Sequence, residues 1–235
     1  MASAGRRASP RAFLSLALGV LAYSVAMSYL EAAVVVDLRA AMGVAAGTVF
    51  PVSFSGAATN LGWIEIGREA ATLVMIGGVG WIAGRTPIER LAWAAVVFGV
   101  WDIGYYAWLW VFSGWPTGLG TWDLLFLLPA PWAGPVWAPV VVSAGLIVFG
   151  LAYAGRIRAG APVRMDRLRF GGLVVGGLVV IGSFLTNAGV VLDGGTPDSF
   201  AWPIFALGMA IGVVAALDAL RVRAPGPQPA GERVR

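Results

Sequence analysis

The chain contains no cysteine, no histidine and no lysine. Without cysteine there is no disulfide, no thiolate metal site and no cysteine nucleophile. Without histidine there is no imidazole ligand for haem, zinc or copper and no histidine switch near neutral pH. Without lysine there is no Schiff base, which excludes a retinal-type pigment. Charge of either sign is scarce: charged residues make up 12% of the 235, about half the share of a soluble domain. The ten-residue alternation of an outer-membrane barrel strand is missing too. Any buried chemistry is left to carboxylates, arginine, tyrosine, tryptophan, serine, threonine, asparagine, methionine and the backbone.

Apolar residues make up 59% of the chain, and its mean hydropathy is +0.82. Six runs approach or exceed the roughly 18 residues needed to cross a bilayer. They are Ala12–Leu30 with an alternative end at Val36, Ile64–Gly84, Leu91–Phe112, Val136–Gly155, Phe170–Leu192 and Phe200–Leu220. The expected fold is all-α: one six-helix transmembrane domain over residues 1–223, followed by a disordered tail at 224–235 (APGPQPAGERVR). The first run is expected to be an uncleaved span, because Ser24-Val-Ala26 is a weak signal-peptide cleavage site.

Arginine is distributed unevenly among the connections. Fourteen of the sixteen fall before span one, between two and three, between four and five, or after six; Arg39 and Arg68 are the exceptions. By the positive-inside rule this predicts a multi-pass inner-membrane protein with both termini cytoplasmic. The formal charge of +4 is explained by topology and by anionic lipid headgroups, so nucleic-acid binding is not expected.

The acids show the opposite bias. Glu31, Asp37, Glu65, Glu69, Asp123, Asp193 and Asp198 fall near the outer side. Asp102 lies within the third run, LAWAAVVFGVWDIGYYAWLWVF, where a carboxylate costs about 2.5–3.5 kcal/mol on insertion scales and calls for a partner or a task. Glu65 and Glu69 share a helix face with Arg68, and Tyr105 and Tyr106 follow Asp102 at helical spacing. Antiparallel packing of spans two and three predicts an outward-facing pocket of Glu69, Asp102, Arg68, Tyr105 and Tyr106, with Glu31, Glu65 and Asp123 on its rim. An excess of carboxylates over one arginine would be balanced by protons or by an oxygen-ligated cation such as Mg, Ca or Mn. The alternative is a purely structural network in which Arg68 pairs with Asp102 or Glu69 and the phenols complete the bonding. No resident cofactor is expected.

Between spans three and four, residues 113–140 carry Pro116, Pro129, Pro131, Pro135 and Pro139 and no arginine. Proline excludes a regular helix through most of this stretch. Thr121 is placed to cap a short helix with Asp123 in its first turn, within an interfacial or re-entrant segment. Seven of the eleven tryptophans lie from Trp101 to Trp137, as an aromatic belt or as a wall above the acidic cluster. The motifs Trp101-Asp-x-x-Tyr-Tyr, Gly114-Trp-Pro and Trp122-Asp-Leu-Leu-Phe-Leu-x-Pro-x-Pro-Trp-x-Gly-Pro resemble a block of uncharacterised bacterial polytopic inner-membrane proteins. The resemblance covers about residues 95–140 and implies that location and no activity.

Gly80-x-x-x-Gly84 and Gly172-x-x-x-Gly176 are close-approach pairs. The glycine stripe of 170–192 either packs inside the bundle or meets a membrane partner or second copy, and Asn187 near its end is placed to join the polar cluster. Three functions remain: a membrane binding or transport protein using the carboxylate–Arg–Tyr site; a non-catalytic accessory subunit; or an enzyme on a lipidic substrate with Glu69 or Asp102 as general acid/base and Arg68 or Tyr105 stabilising charge. The last requires a lipid-sized cavity.

Overall fold

A computed structural model describes residues 9–41, 43, 58–193, 195 and 197–221. The tail expected at 224–235 lies outside the described residues. Six helices are long and apolar enough to cross a membrane: α1 (Pro10–Ala41), α2 (Ala58–Ala83), α3 (Pro87–Ser113), α4 (Trp137–Arg158), α5 (Arg167–Leu185) and α7 (Trp202–Leu220). Their outer faces carry large apolar side chains against the surroundings, with Ile82 85% and Leu168 81% exposed. In water such a surface would drive aggregation, whereas lipid solvates it. The chain is a multi-pass membrane protein with an all-α bundle, as its apolar runs predict.

The helix ends follow local chemistry. Thr86 caps α3 by accepting a hydrogen bond from the Glu89 N–H, Pro87 takes the first helical position, and Gly114 ends the helix at φ 70°, a left-handed conformation suited to glycine. Asp166 caps α5 by accepting from the Arg169 N–H. The fifth span does not continue to Leu192 as its apolar pattern suggests. It stops at Leu185, and a separate short helix, α6, covers Ala188–Leu192. Ser183 and Thr186 return their hydroxyls to the carbonyls of Val180 and Ser183 at 2.6 and 2.8 Å, and such local bonds compete with helix continuation. Asn187 donates to the Ser199 carbonyl at 3.0 Å, so it fastens the connection to α7 instead of joining the acidic cluster.

The Pro-rich segment contains no helix capped by Thr121. Trp122–Phe126 is a strand, β1, paired antiparallel with β2, Trp132–Pro135, in the register Trp122↔Pro135 and Asp123↔Gly134. Aromatic and branched side chains favour the pleated backbone over a helix here, and prolines at 129 and 131 confine the reversal to the turn. Thr121 accepts from the Gly118 N–H at 3.2 Å instead. The hairpin lies along α3: Asp123 meets Tyr106, and Phe126 stacks on Phe98 with ring centroids 6.2 Å apart. Eight helical residues separate those two contacts, about 12 Å of descent at 1.5 Å each. The hairpin therefore runs down beside α3 into the helix bundle.

Helix α3 is central and packs against α1, α2 and α4, while α5 packs on α7; the two groups meet through α4 with α7 and through β2 with α5. Small residues make the seams. A Cβ on Gly99 would stand 2.5 Å from the Ser143 carbonyl oxygen, and one on Gly80 2.6 Å from that of Arg90. Gly172 and Gly176 face α7, where a Cβ on Gly176 would come 2.7 Å from the Gly212 nitrogen, but Gly171, Gly177 and Gly182 have open space around them.

Candidate functional site

The faces of α3 decide which acids can meet. Gly104 lies against Ser28 of α1, whereas Gly99 lies against Ser143 of α4. Asp102 is three residues after Gly99 and shares its face. It is buried, with Oδ2 accepting from the Ser143 hydroxyl at 2.9 Å. It therefore turns towards α4, while the charged start of α2 lies on another side of α3.

Arg68 is held by Glu31 of α1 and by Glu65, whose Oε2 accepts from Nε at 2.9 Å and from Nη2 at 2.6 Å. Glu31 also accepts from the Thr72 hydroxyl at 3.3 Å. Two carboxylates thus surround the guanidinium, and its ion pairs join α1 to α2 instead of reaching Asp102. Glu69 reaches the hairpin: its Oε1 accepts the Leu127 N–H at 2.8 Å, and its Oε2 is buried without a hydrogen-bond partner. A turn packed among apolar helices needs its buried N–H and C=O groups satisfied by protein. Glu69 supplies that at the hairpin turn.

Tyr106 donates to Asp123 Oδ2 at 3.0 Å, and Asp123 Oδ1 accepts from the Leu124 N–H at 2.8 Å. Tyr105 packs between Trp101 and Tyr106, with centroids 6.5 and 5.3 Å away. Seven of the eight predicted residues fall into four hydrogen-bonded or ion-paired groups: Glu31–Arg68–Glu65, Glu69 on the turn, Tyr106–Asp123, and Asp102 with Ser143 of α4. Tyr105 joins them through ring contacts, and the Arg68 and Glu69 charges, like those of Asp102 and Asp123, remain close enough to act on one another. No group of three or more acids among the described residues is arranged to hold a metal ion.

Comparison with protein-family models, curated proteins and solved structures finds no match.

On the other side of α3 there is a cavity of about 930 Å³. It lies between α3 and α4 on one wall and α5 and α7 on the other, with Asp102 and Ser143 in its lining and Phe126 and Trp132 of the hairpin closing one end. The opposite end reaches Pro87 and Arg167. Two of its lining residues, Leu91 and Val174, are 56% and 43% exposed, so the gap between α3 and α5 also opens sideways. A well-packed interior leaves few voids larger than a water, and this one falls in the size range of small-molecule sites.

Two participants were not legible in advance. Ser143 is a lone hydroxyl in the fourth apolar run, and its polarity was the only available signal. Glu89, two residues before the third apolar run, is fully buried, paired to Arg158 and accepting from the Arg85 N–H at 2.8 Å and from Trp93 Nε1 at 3.4 Å. Thr86-Pro-Ile-Glu89 has the spacing of a capping box, which places the glutamate inside the first helical turn.

Proposed function

We propose that this is a bacterial inner-membrane protein, with both termini cytoplasmic, that binds or transports a lipidic molecule in the cavity between its two helix groups. The observation that carries the reading is an apolar cavity of about 930 Å³ with a carboxyl in its wall. The surrounding side chains give a hydrocarbon chain its contacts. Asp102, with Ser143 beside it, offers a hydrogen bond or a charge to a hydroxyl, an amine or a cation carried by that molecule. Glu31, Glu65, Arg68, Glu69, Tyr105, Tyr106 and Asp123 are assigned to holding α1, α2 and the hairpin in place over the cavity. The arginine asymmetry supports the orientation, which puts the hairpin on the outer side.

The test is to fill the cavity without disturbing the fold. Gly177 and Gly145 line it, and a Cβ at either meets nothing within 4 Å. Gly177→Phe and Gly145→Phe are expected to retain the wild-type melting temperature and to lose the lipid that co-purifies with the wild type, read by mass spectrometry of organic extracts. Equal lipid content in filled and wild-type protein would sink the proposal.

The Asp102–Ser143 contact also favours a second reading, an enzyme on a lipidic substrate with Asp102 as general acid/base. Turnover of a native lipid extract that disappears in Asp102→Asn, while lipid retention persists, selects it.

A further inference from the structure

We infer that the lipid held in the cavity is anionic and that Arg167 receives its headgroup, an inference that rests on the proposed lipid site. Arg167 opens α5 at the end of the cavity remote from the hairpin and is exposed there. Its neighbours have partners. Arg158 pairs with the buried Glu89, Arg169 bridges Asp166 and Asp218, and Arg164 pairs with Asp166 at 3.4 Å. Arg90 lies 3.5 Å over the Trp81 ring. Among the described residues Arg167 has no ion-pair partner and lines the cavity. Asp166, which lines the cavity at this end, caps the helix by accepting the Arg169 N–H, and that bond together with the Arg169 and Arg164 charges keeps its carboxyl below the usual range. The mouth therefore retains a positive charge at the level where lipid headgroups lie.

The geometry of the wall agrees. On α5 the lining runs from Phe170 to Phe184, fourteen residues and about 21 Å. The hydrocarbon core of one leaflet is about 15 Å deep, half of roughly 30 Å. A lipid anchored at Arg167 thus lays a chain of ordinary length along the α5 wall of the cavity. A guanidinium binds phosphate or carboxylate oxygens through paired N–H donors, which selects an acidic headgroup over a zwitterionic one.

The experiment uses full-length protein stripped of native lipid in detergent and then offered equimolar dioleoyl phosphatidylglycerol and dioleoyl phosphatidylcholine. Bound lipid is read by native mass spectrometry. The wild type is expected to retain the acidic lipid with about tenfold preference, the equivalent of about 1.4 kcal/mol for one charged hydrogen-bonding contact. Arg167→Gln is expected to lose the preference while still retaining lipid, and Arg164→Gln, on the ion-paired neighbour, to keep it. Gly177→Phe is expected to retain neither lipid. An unaltered preference in Arg167→Gln, or equal losses in Arg167→Gln and Arg164→Gln, overturns the headgroup assignment and leaves the cavity reading standing. Retention of both lipids in Gly177→Phe overturns the cavity reading itself.

Discussion

Glu89 and Asp102 are both carboxylates buried in α3, and their surroundings differ in kind. Glu89 has a guanidinium, an indole N–H and a backbone N–H around it, and Arg158 ties the same knot to the Ala83 carbonyl at 2.6 Å. Asp102 has a single neutral hydroxyl partner and borders a cavity. A buried acid whose oxygens are fully engaged holds helices together. One that is engaged on a single side, next to unfilled space, can still make a contact with something that enters.

That contrast can be broken or sharpened by experiment. The largest effect is expected at Glu89. Glu89→Ala strands the Arg158 charge in a protein interior and should cost about 3–5 kcal/mol, measured as a drop in melting temperature in detergent. A loss no greater than that of Asp102→Asn would erase the distinction between the two sites. Next come the adjacent glycines of α5. Gly176→Leu drives into the backbone of α7, where a Cβ already stands 2.7 Å from Gly212, and should cost about 1–3 kcal/mol. Gly177→Leu projects into the cavity and should be neutral or slightly stabilising. Equal destabilisation by the two would mean that the cavity is not open space.

A smaller effect is expected at the hairpin. Asp123 accepts from the Tyr106 hydroxyl at 3.0 Å and from the Leu124 N–H at 2.8 Å, so Asp123→Leu should loosen the docked hairpin by about 1 kcal/mol. Hydrogen exchange at the Leu124 and Leu127 amides should accelerate accordingly, and unchanged exchange would show that this carboxylate does not hold the hairpin. The smallest stability change is expected at Asp102 itself. Asp102→Asn keeps an acceptor for Ser143 and should alter unfolding by less than about 1 kcal/mol while reducing the lipid retained. Full retention with no change in any lipid turnover would detach Asp102 from the site.

The helical fold was legible because each span is a local property: its apolar length is read along the chain. Two seams were legible for the same reason, since Gly80 and Gly84, and Gly172 and Gly176, mark where a helix admits a neighbour, whereas the seam at Gly99 was not singled out. The polar cluster was only partly legible. Arg68 and Glu65 at helical spacing do pair, but Glu31 reached them from a separate helix. Asp102 turned to α4 because the rotation of α3 is governed by which small residue faces which neighbour. The hairpin escaped helical reasoning because its pairing joins residues about ten apart through a Pro-rich turn, a register that local periodicity does not reveal.

By itself the amino-acid order determined the number of apolar helices, the arginine asymmetry between their two ends and the chemistry denied to a chain without cysteine, histidine or lysine, because each is a sum over residues. Tertiary structure alone decided which acids have charged partners, which has only a hydroxyl, and that a lipid-sized space lies next to it. Those outcomes depend on how helices rotate and where α3–α4 and α5–α7 fail to touch, and no single segment carries that information.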